Sequence, residues 1–486
     1  MICYNIPQWL SVFNEIFQKE RRKGNIRKDY FPTSYIDVLK EGHELNLVVR
    51  ELKKTKRKEW TAEQKQQYKD TREQIKKNQE KRKVEETKWL EAIAGKVNSR
   101  DFRIELTKVE LDDGKDAFTV PENVENLFVM KTLQANLKSV FKVQQANRHR
   151  IMTQLKRLLN ESTPKYIIRT DVHHFYESIP QVGLLKMIKD NTLLSRLSVR
   201  FIWQVLQEYE AKKDAAEPRG AGVPRGVGVR AYLSEIYMRD IDEKVKQREE
   251  VVYYVRYVDD IFMILSRLPI GTTLEQYYDG LRKDFEDVGL ELMDPSDEEQ
   301  KKKMQLLDFH TFMKEGDKNQ QGNFTYLGYK LKWLRSKCNS GTQLTTTFTI
   351  SDKKRKRIKE RIDKAFEHFT EKTKYSLSEA RKDLRDSLRF IAGNYRLTKS
   401  KSGVKAGIYY SNDLMTNPCD LRDLTYYLKR KEVVVYEEVM KGAPEREKYI
   451  ESIKKMRDSF DFPKQWEAHK SYTLKDKRIR EISQWL

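Results

Sequence analysis

Residues 251–265, reading Val-Val-Tyr-Tyr-Val-Arg-Tyr-Val-Asp-Asp-Ile-Phe-Met-Ile-Leu, constrain this chain more than any other stretch. Two runs of β-branched and aromatic residues flank the adjacent carboxylates Asp259 and Asp260, which is the pattern of a β-hairpin with acids at or beside its turn. The flanks call for burial. The acids resist it, because neighbouring like charges repel by roughly 1 kcal/mol even in water and burial adds several more unless a cation compensates. A turn that forces two aspartates together is therefore a candidate metal site, with an ordinary polar turn as the plain alternative.

The chain has 486 residues, enough for two or three domains with a proper core. Its formal net charge of +22, with 35 % charged and 38 % hydrophobic residues, points to a polyanionic partner. Nucleic acid is favoured, since each neutralised phosphate releases a counterion and so rewards clustered Lys and Arg. An anionic membrane is disfavoured for want of a long apolar run. The opening residues 1–7 lack a basic segment followed by an apolar one, so no secretory signal is expected. Cys3, Cys338 and Cys419 are scattered and odd in number. They suggest neither a disulfide framework nor a zinc spacing, and the expected compartment is a reducing cytoplasm.

Along the chain, residues 1–50 read as a small folded segment broken at Phe31-Pro32-Thr33. Residues 53–96 read as one or two highly charged helices with a thin apolar stripe at Trp60, Tyr68, Ile75, Val84, Trp89 and Leu90. A basic helix is expected over 141–151, continued by Ile151, Leu155, Leu158 and Leu159 at helical spacing. Pro164 leads into a short strand, 165–172, that closes on Asp171. A helical stretch over 183–213 precedes a glycine-rich loop, 219–228, which opens a helix over 229–245. After the hairpin, 281–292 reads as helix, 294–303 as a polar connection and 323–333 as a strand pair. From Ser351 the character changes to basic amphipathic helices, the first with Ile358, Ile362, Phe366 and Phe369 on one face. The domain organisation read from this is 1–120, a helical N-terminal region; 121–350, the motif-bearing core; and 351–486, a mostly helical C-terminal region.

Joining nucleotides to a growing strand is served by two divalent ions, one lowering the pKa of the attacking hydroxyl and one holding the triphosphate. Mg²⁺ takes hard oxygen ligands and keeps several waters, so two or three carboxylates suffice. Asp171 at a strand end and Asp259 with Asp260 at a hairpin turn supply that number.

In this order the motifs resemble the reverse transcriptase family. Tyr257-Val258-Asp259-Asp260 resembles its signature box, and Asp171-Val172-His173-His174-Phe175-Tyr176 the preceding acidic motif, with the Gly-Pro-Arg-Gly loop between them. Leu327-Gly328-Tyr329 is similar to the hairpin that grips the primer end. The resemblance spans about residues 120–335. It implies an α+β right-hand polymerase of fingers, palm and thumb, with an antiparallel palm sheet and a mostly helical C-terminal region.

By that resemblance Asp171 and Asp259 are metal ligands, Asp260 is an accompanying carboxylate, and the cofactor is two Mg²⁺ ions, with Mn²⁺ as an alternative. Tyr176 falls where an aromatic ring excludes a 2′-hydroxyl, which implies a DNA product. Gly222, Pro224, Arg225 and Gly226 match the loop under the incoming nucleotide, whose glycines would let backbone approach the bases. Arg148 and Arg150 match triphosphate-binding positions more loosely. Lys301, Lys302 and Lys303 lie where a lysine could protonate pyrophosphate. His173 and His174 lack partners at a metal-ligand spacing and read as structural or solvent-facing. Arg230 departs from the family's small serine; a guanidinium there carries five donors and could read a base edge.

Phe390-Ile391-Ala392-Gly393-Asn394-Tyr395-Arg396-Leu397 and Gly407-Ile408-Tyr409-Tyr410-Ser411-Asn412 are similar to C-terminal regions of bacterial abortive-infection and defence-associated reverse transcriptases of the unknown groups. The implied activity is RNA-directed or partly template-independent DNA synthesis in anti-phage defence. The implied partners are an RNA template or non-coding RNA, the DNA product, dNTPs, and a second copy or a companion defence protein, with no membrane. A retron- or intron-type enzyme copying a dedicated RNA, and a silent nucleic-acid-binding scaffold, are the alternatives.

Overall fold

The computed structural model describes residues 6–110, 116–144, 146–161, 163–190, 193–214, 217–309, 321–338, 341–396, 405–436 and 443–486. Cys3, and Leu397 of the segment singled out above, lie outside them. The chain divides into two compact units, one formed by Met1–Ala146 with Ile168–Leu306, the other by Asn147–Ile167 with Leu307–Leu486.

The first unit begins with three helices, Ile6–Lys23, Thr33–Leu52 and Ala62–Asn98. The last is a single helix where sequence reading left one or two open. It starts at a capping box in which Thr61 and Gln64 satisfy each other's backbone amides, and no Gly or Pro before residue 95 interrupts it. Its apolar stripe is buried in part: Ile75, Trp89 and Leu90 face inward together with Ile93, and Trp89 meets Phe17 and Phe31, whereas Val84 is exposed and Tyr68 half-buried. A helix over Val124–Phe141 follows.

The expected continuous helix over 141–151 is not formed. Lys142 adopts φ of 50°, and the next helix, Arg148–Asn160, begins only where the Asn147 side chain accepts from the Arg150 amide. Capping decides the boundary here. The expected helix over 183–213 is likewise two, Gln181–Asp190 and Arg196–Lys212, the second capped by Ser195. The helix expected over 281–292 instead runs Leu274–Glu286 from a Thr273 capping box, and Glu291–Leu292 is a strand.

Four strands of one sheet run in the order Val251–Tyr257, Asp260–Leu265, Tyr166–His173, Glu291–Leu292. The first two form the expected hairpin, closing at Tyr257↔Asp260, so that the two-residue turn is Val258-Asp259. The Asp260 strand is buried from Ile261 to Leu265. Burial of a continuous apolar run suits an interior strand, here between Val251–Tyr257 and Tyr166–His173, and holds its register.

In the second unit, Gln321–Tyr326 and Tyr329–Cys338 pair as expected, and a third strand, Gly341–Ile350, completes an antiparallel sheet. Leu327 (φ 44°) and Gly328 (φ 77°) make its first turn, both left-handed as a two-residue hairpin with the sheet's twist requires. Ser351 caps the basic helix Asp352–Thr373, which packs with Leu377–Ile391. Their inward faces, Ile362, Phe369, Leu384 and Leu388, share a core with Leu424, Ile453 and Phe462.

Candidate active site

The hairpin turn is held by a cage that sequence reading missed. Arg256, its side chain only 4 % exposed, donates to Glu235 (2.8 Å) and Asp242 (2.8 Å) on the helix Arg230–Lys246. It also donates to the Val258 carbonyl at 2.6 Å. Tyr254 adds a hydroxyl bond to Asp242 at 2.7 Å. That support matters because Val258 sits at φ of 64°, where a β-branched residue pays on the order of 1–3 kcal/mol of strain. The one available signal was an arginine in an otherwise apolar run, matched by two acids seven residues apart on the preceding helix.

The turn presents Asp259 to the strand bearing Asp171. The Val172 amide donates to the Asp259 carbonyl at 3.1 Å, and the Met293 amide donates to the Asp171 carbonyl at 3.1 Å. Asp171 is thus placed by backbone bonds on both sides. Its Oδ1 is buried with no hydrogen-bond partner. Burial, followed by the charges of Asp259 and Asp260, raises its carboxyl to about 7, while Lys303 and Arg169 act in the opposite sense. Burial likewise pushes Asp260 to about 6 against the pull of Arg169. Arg169 donates to Asp260 at 3.3 Å. Asp260 is therefore partly neutralised by a fixed cation, whereas Asp171 offers a buried oxygen to whatever enters. A buried, partnerless carboxylate oxygen beside two further acids fits a divalent cation.

A cleft of about 840 Å³ opens on these groups, lined by Asp171, Asp259, Tyr176, Arg225, Arg230 and Lys303 among others. Of the three candidate lysines, Lys303 is the one that reaches this cleft and the Asp171 charge. Lys302 pairs instead with Glu299 at 3.6 Å. Tyr176 sits on the short helix Phe175–Ser178 directly after the Asp171 strand. The Arg230 guanidinium stacks over its ring at 3.8 Å from the centroid. Among the described residues that guanidinium makes no hydrogen bond or ion pair, so its five donors remain available in the cleft.

The glycine loop is pinned within the unit. Gly222 donates to the Ile179 carbonyl at 2.7 Å and Val223 to that of Tyr176 at 2.8 Å, while the Phe118 amide donates to Arg225 at 2.6 Å. A Cβ on Gly222 would lie 2.8 Å from the Glu177 carbonyl, and one on Gly226 2.5 Å from that of Phe118. Both glycines have positive φ. The close approach they allow is to the chain's own backbone, and Pro224 is buried between them. Val223 and Arg225 are the members of this loop that line the cleft, and Arg225 is the charged one.

Arg148, in the second unit, donates to the Leu327 carbonyl (2.6 Å) and the Ser411 carbonyl (2.7 Å) and lies 4.6 Å over the Tyr329 ring. It braces the turn of Leu327 and Gly328 from below. Arg150 is exposed one helical step away. His173 lies 3.8 Å from Glu291, but burial holds its imidazole below the ordinary range, so the contact is not an ion pair at neutral pH, and both His173 and His174 line the cleft. A separate group, Asp116, Asp214 and Glu217, brings three carboxylates together, with Lys108 bonded to two of them.

Residues 125–331 match the family model for reverse transcriptase (RNA-dependent DNA polymerase). The chain carries a reverse transcriptase domain. The matched span includes all three aspartates, the glycine loop and the Leu327-Gly328 turn, and its α+β architecture is that of a right-hand polymerase. No curated protein matches the chain.

Among solved structures the chain is similar to apo telomerase from Candida tropicalis truncated from its C-terminal domain. The identity is 15 %, the TM-score 0.32, and the match covers 48 % of this chain and 54 % of that one. It is also similar to telomerase from Candida albicans in complex with a fragment of telomeric RNA (15 %, 0.29, 70 % and 56 %) and to apo telomerase from Candida tropicalis (12 %, 0.36, 79 % and 66 %). The chain spans about half the length of the first of these. At such scores the likeness carries no argument; the domain assignment rests on the family match and agrees with the carboxylate geometry.

Proposed function

We propose that this protein is an RNA-directed DNA polymerase that adds dNTPs to a 3′-hydroxyl, working in anti-phage defence. The observation that carries the chemistry is the placement of Asp259 against Asp171 by the Val172 amide, with the Asp171 Oδ1 left buried and partnerless. Asp171 and Asp259 would hold the metal, Mg²⁺ by the hardness of their oxygens, with Asp260 alongside on Arg169. Two bound divalent ions would supply a lowered pKa at the attacking hydroxyl and charge neutralisation at the triphosphate.

The remaining work falls to the chain. Arg225 and Lys303 place positive charge in the cleft for the triphosphate, and Lys303, beside Asp171, is positioned to give a proton to the departing pyrophosphate. Tyr176 forms the wall against the sugar, and its ring, held flat by Arg230, leaves no room for a 2′-hydroxyl. Arg230 offers its donors to the nucleotide or template base. Leu327 and Gly328 present a rigid turn, braced by Arg148, to the primer end.

The defence assignment rests on the resemblance carried by 390–397 and 407–412, and the RNA partner on that resemblance together with a net charge of +22. The decisive experiment is incorporation of labelled dNTPs with Mg²⁺ by wild type and Asp259→Asn, followed by sequencing of nucleic acid that copurifies from the host. Loss of incorporation in the variant supports the reading. Absence of incorporation by wild type on RNA, DNA and copurified templates would leave a nucleic-acid-binding scaffold.

A further inference from the structure

Far along the chain, the second unit holds a basic pocket that the polymerase chemistry does not use. It has a volume of about 430 Å³ and gathers Arg385 and Arg389 from the helix Leu377–Ile391, Lys464 from the helix Phe462–Glu467, and Lys470 and Tyr472 from the segment after it. These residues are 87 positions apart in sequence, and tertiary packing alone brings them to one wall.

Positive charge in the pocket is only partly compensated, four cations facing the single carboxylate of Asp461 in the lining. Arg385, and the side-chain ammonium groups of Lys464 and Lys470, make no hydrogen bond or ion pair among the described residues. The one acid in the lining, Asp461, spends its carboxylate capping the Lys464 amide at 3.0 Å. Arg389 reaches Asp386 only at 3.5 Å, and that carboxylate already accepts from Arg478 at 2.9 Å. Clustered cations repel one another, so an arrangement of this kind is relieved by an anion.

The pocket also holds a ring. Tyr472 packs directly on Gly393, where any Cβ would collide with it, and pairs in register with Tyr395 in a small sheet. The Arg389 guanidinium and the Lys470 ammonium lie 5.7 Å and 5.9 Å from its centroid. A fixed aromatic ring flanked by cations, with Arg385 and Lys464 beside them making no ion pair among the described residues, has the makings of a nucleotide subsite: phosphate on the cations, base on the ring. The volume suits one such unit.

We infer that this pocket binds a nucleotide phosphate together with its base, as one residue of a single strand threaded over the second unit or as a free nucleotide. The segment around Gly393, prominent in the sequence without a role in the chemistry, would be the floor of that pocket.

The test is binding without divalent metal, so that its result is independent of polymerisation. Wild type and the double variant Arg385→Gln with Lys464→Gln, both on the pocket rim, are titrated with a fluorescent single-stranded oligonucleotide across a salt series, and with a fluorescent mononucleotide. Thermal melting establishes that the variant is folded, and Lys464→Gln alone serves if the double variant is not. For a strand, the variant binds at least tenfold more weakly at 150 mM salt, and the slope of log affinity against log salt falls by about 1.4, two phosphates at about 0.7 each. Weaker mononucleotide binding in the variant would identify a free nucleotide instead. A photoreactive oligonucleotide or mononucleotide is expected to crosslink the peptide containing Tyr472. Unchanged affinity and salt slope for the folded variant, with crosslinks only elsewhere, would overturn the inference.

Discussion

Replacing Asp171 by asparagine should make the metal-free protein more stable while abolishing its chemistry. The perturbation removes one buried charge and keeps the shape. In the folded chain the Asp171 carboxyl is raised from 3.8 to about 7, by burial first and by Asp259 and Asp260 after it. At about 1.4 kcal/mol per pKa unit, that rise corresponds to roughly 4 kcal/mol held against folding when the group is ionised. Water entering the cleft reduces this to about 2–3 kcal/mol by the weaker interaction of solvated charges. The sign follows from proton binding. Between pH 3.8 and 7 the unfolded chain has released the proton and the folded one retains it, so folding stability falls as pH rises through that window and stays low above it. Asparagine has no such dependence. In urea, with EDTA present, the midpoint of Asp171→Asn should exceed that of wild type by several tenths of a molar to about 1 M at pH 8, given slopes of a few kcal/mol per molar. The gap should shrink at pH 5 and nearly close at pH 4. Adding Mg²⁺ at pH 8 should raise the wild-type midpoint and leave the variant unmoved, since only a state that binds the ion is stabilised by it. A gap that is absent at pH 8, or equal at pH 5 and pH 8, would refute the reasoning.

Arg256→Met strips the cation from Glu235 and Asp242 and the donor from the Val258 carbonyl, and should cost about 3–5 kcal/mol, the usual consequence of breaking a buried pair from one side; an unchanged thermal midpoint would contradict it. Gly226→Ala combines a φ of 91° with a Cβ 2.5 Å from the Phe118 carbonyl and should destabilise by about 2 kcal/mol or more, again read as a melting shift. Arg230→Ala and Tyr176→Ala should each lower the preference for dNTPs over rNTPs about tenfold or more in single-nucleotide incorporation, with the double variant little worse than Tyr176→Ala, because contacting residues acting as a unit do not add. Lys303→Ala should slow incorporation about 10²-fold, in the range of a lost proton donor, while Lys302→Ala leaves it near wild type; equal effects would remove Lys303 from the role.

Much of the architecture is written in local chemistry. The hairpin around Asp259 and Asp260 follows from its apolar flanks, the Leu327-Gly328 turn from the tolerance of Gly for left-handed backbone, and the helix starting at Asp352 from the serine before it. Such features depend on residues a few positions apart and so are legible locally, even where, as at the Asp259 turn, groups from another element complete them. Boundaries were less legible where a cap and a helical pattern competed, as at Lys142 to Asn147, and the third strand, Gly341–Ile350, declares itself only by pairing with Tyr329–Cys338.

The sequence by itself determined the order and kind of the chemical groups: one carboxylate at a strand end, two at a turn, a glycine loop between them, and a large excess of positive charge. Tertiary structure decided what each group experiences. Asp171 becomes a proton-holding acid only because the sheet buries it beside the Asp259 turn, and Asp260 differs from it only because Arg169 lies alongside. Arg256 was one more basic residue until Glu235 and Asp242 closed around it, and Arg230 one more departure until it lay flat on Tyr176. The residues of 147–167 join the C-terminal unit, 140 positions beyond them, for the same reason. Burial and charge pairing are properties of neighbours in space, and neighbours separated by a hundred residues leave no mark on the local pattern of either partner.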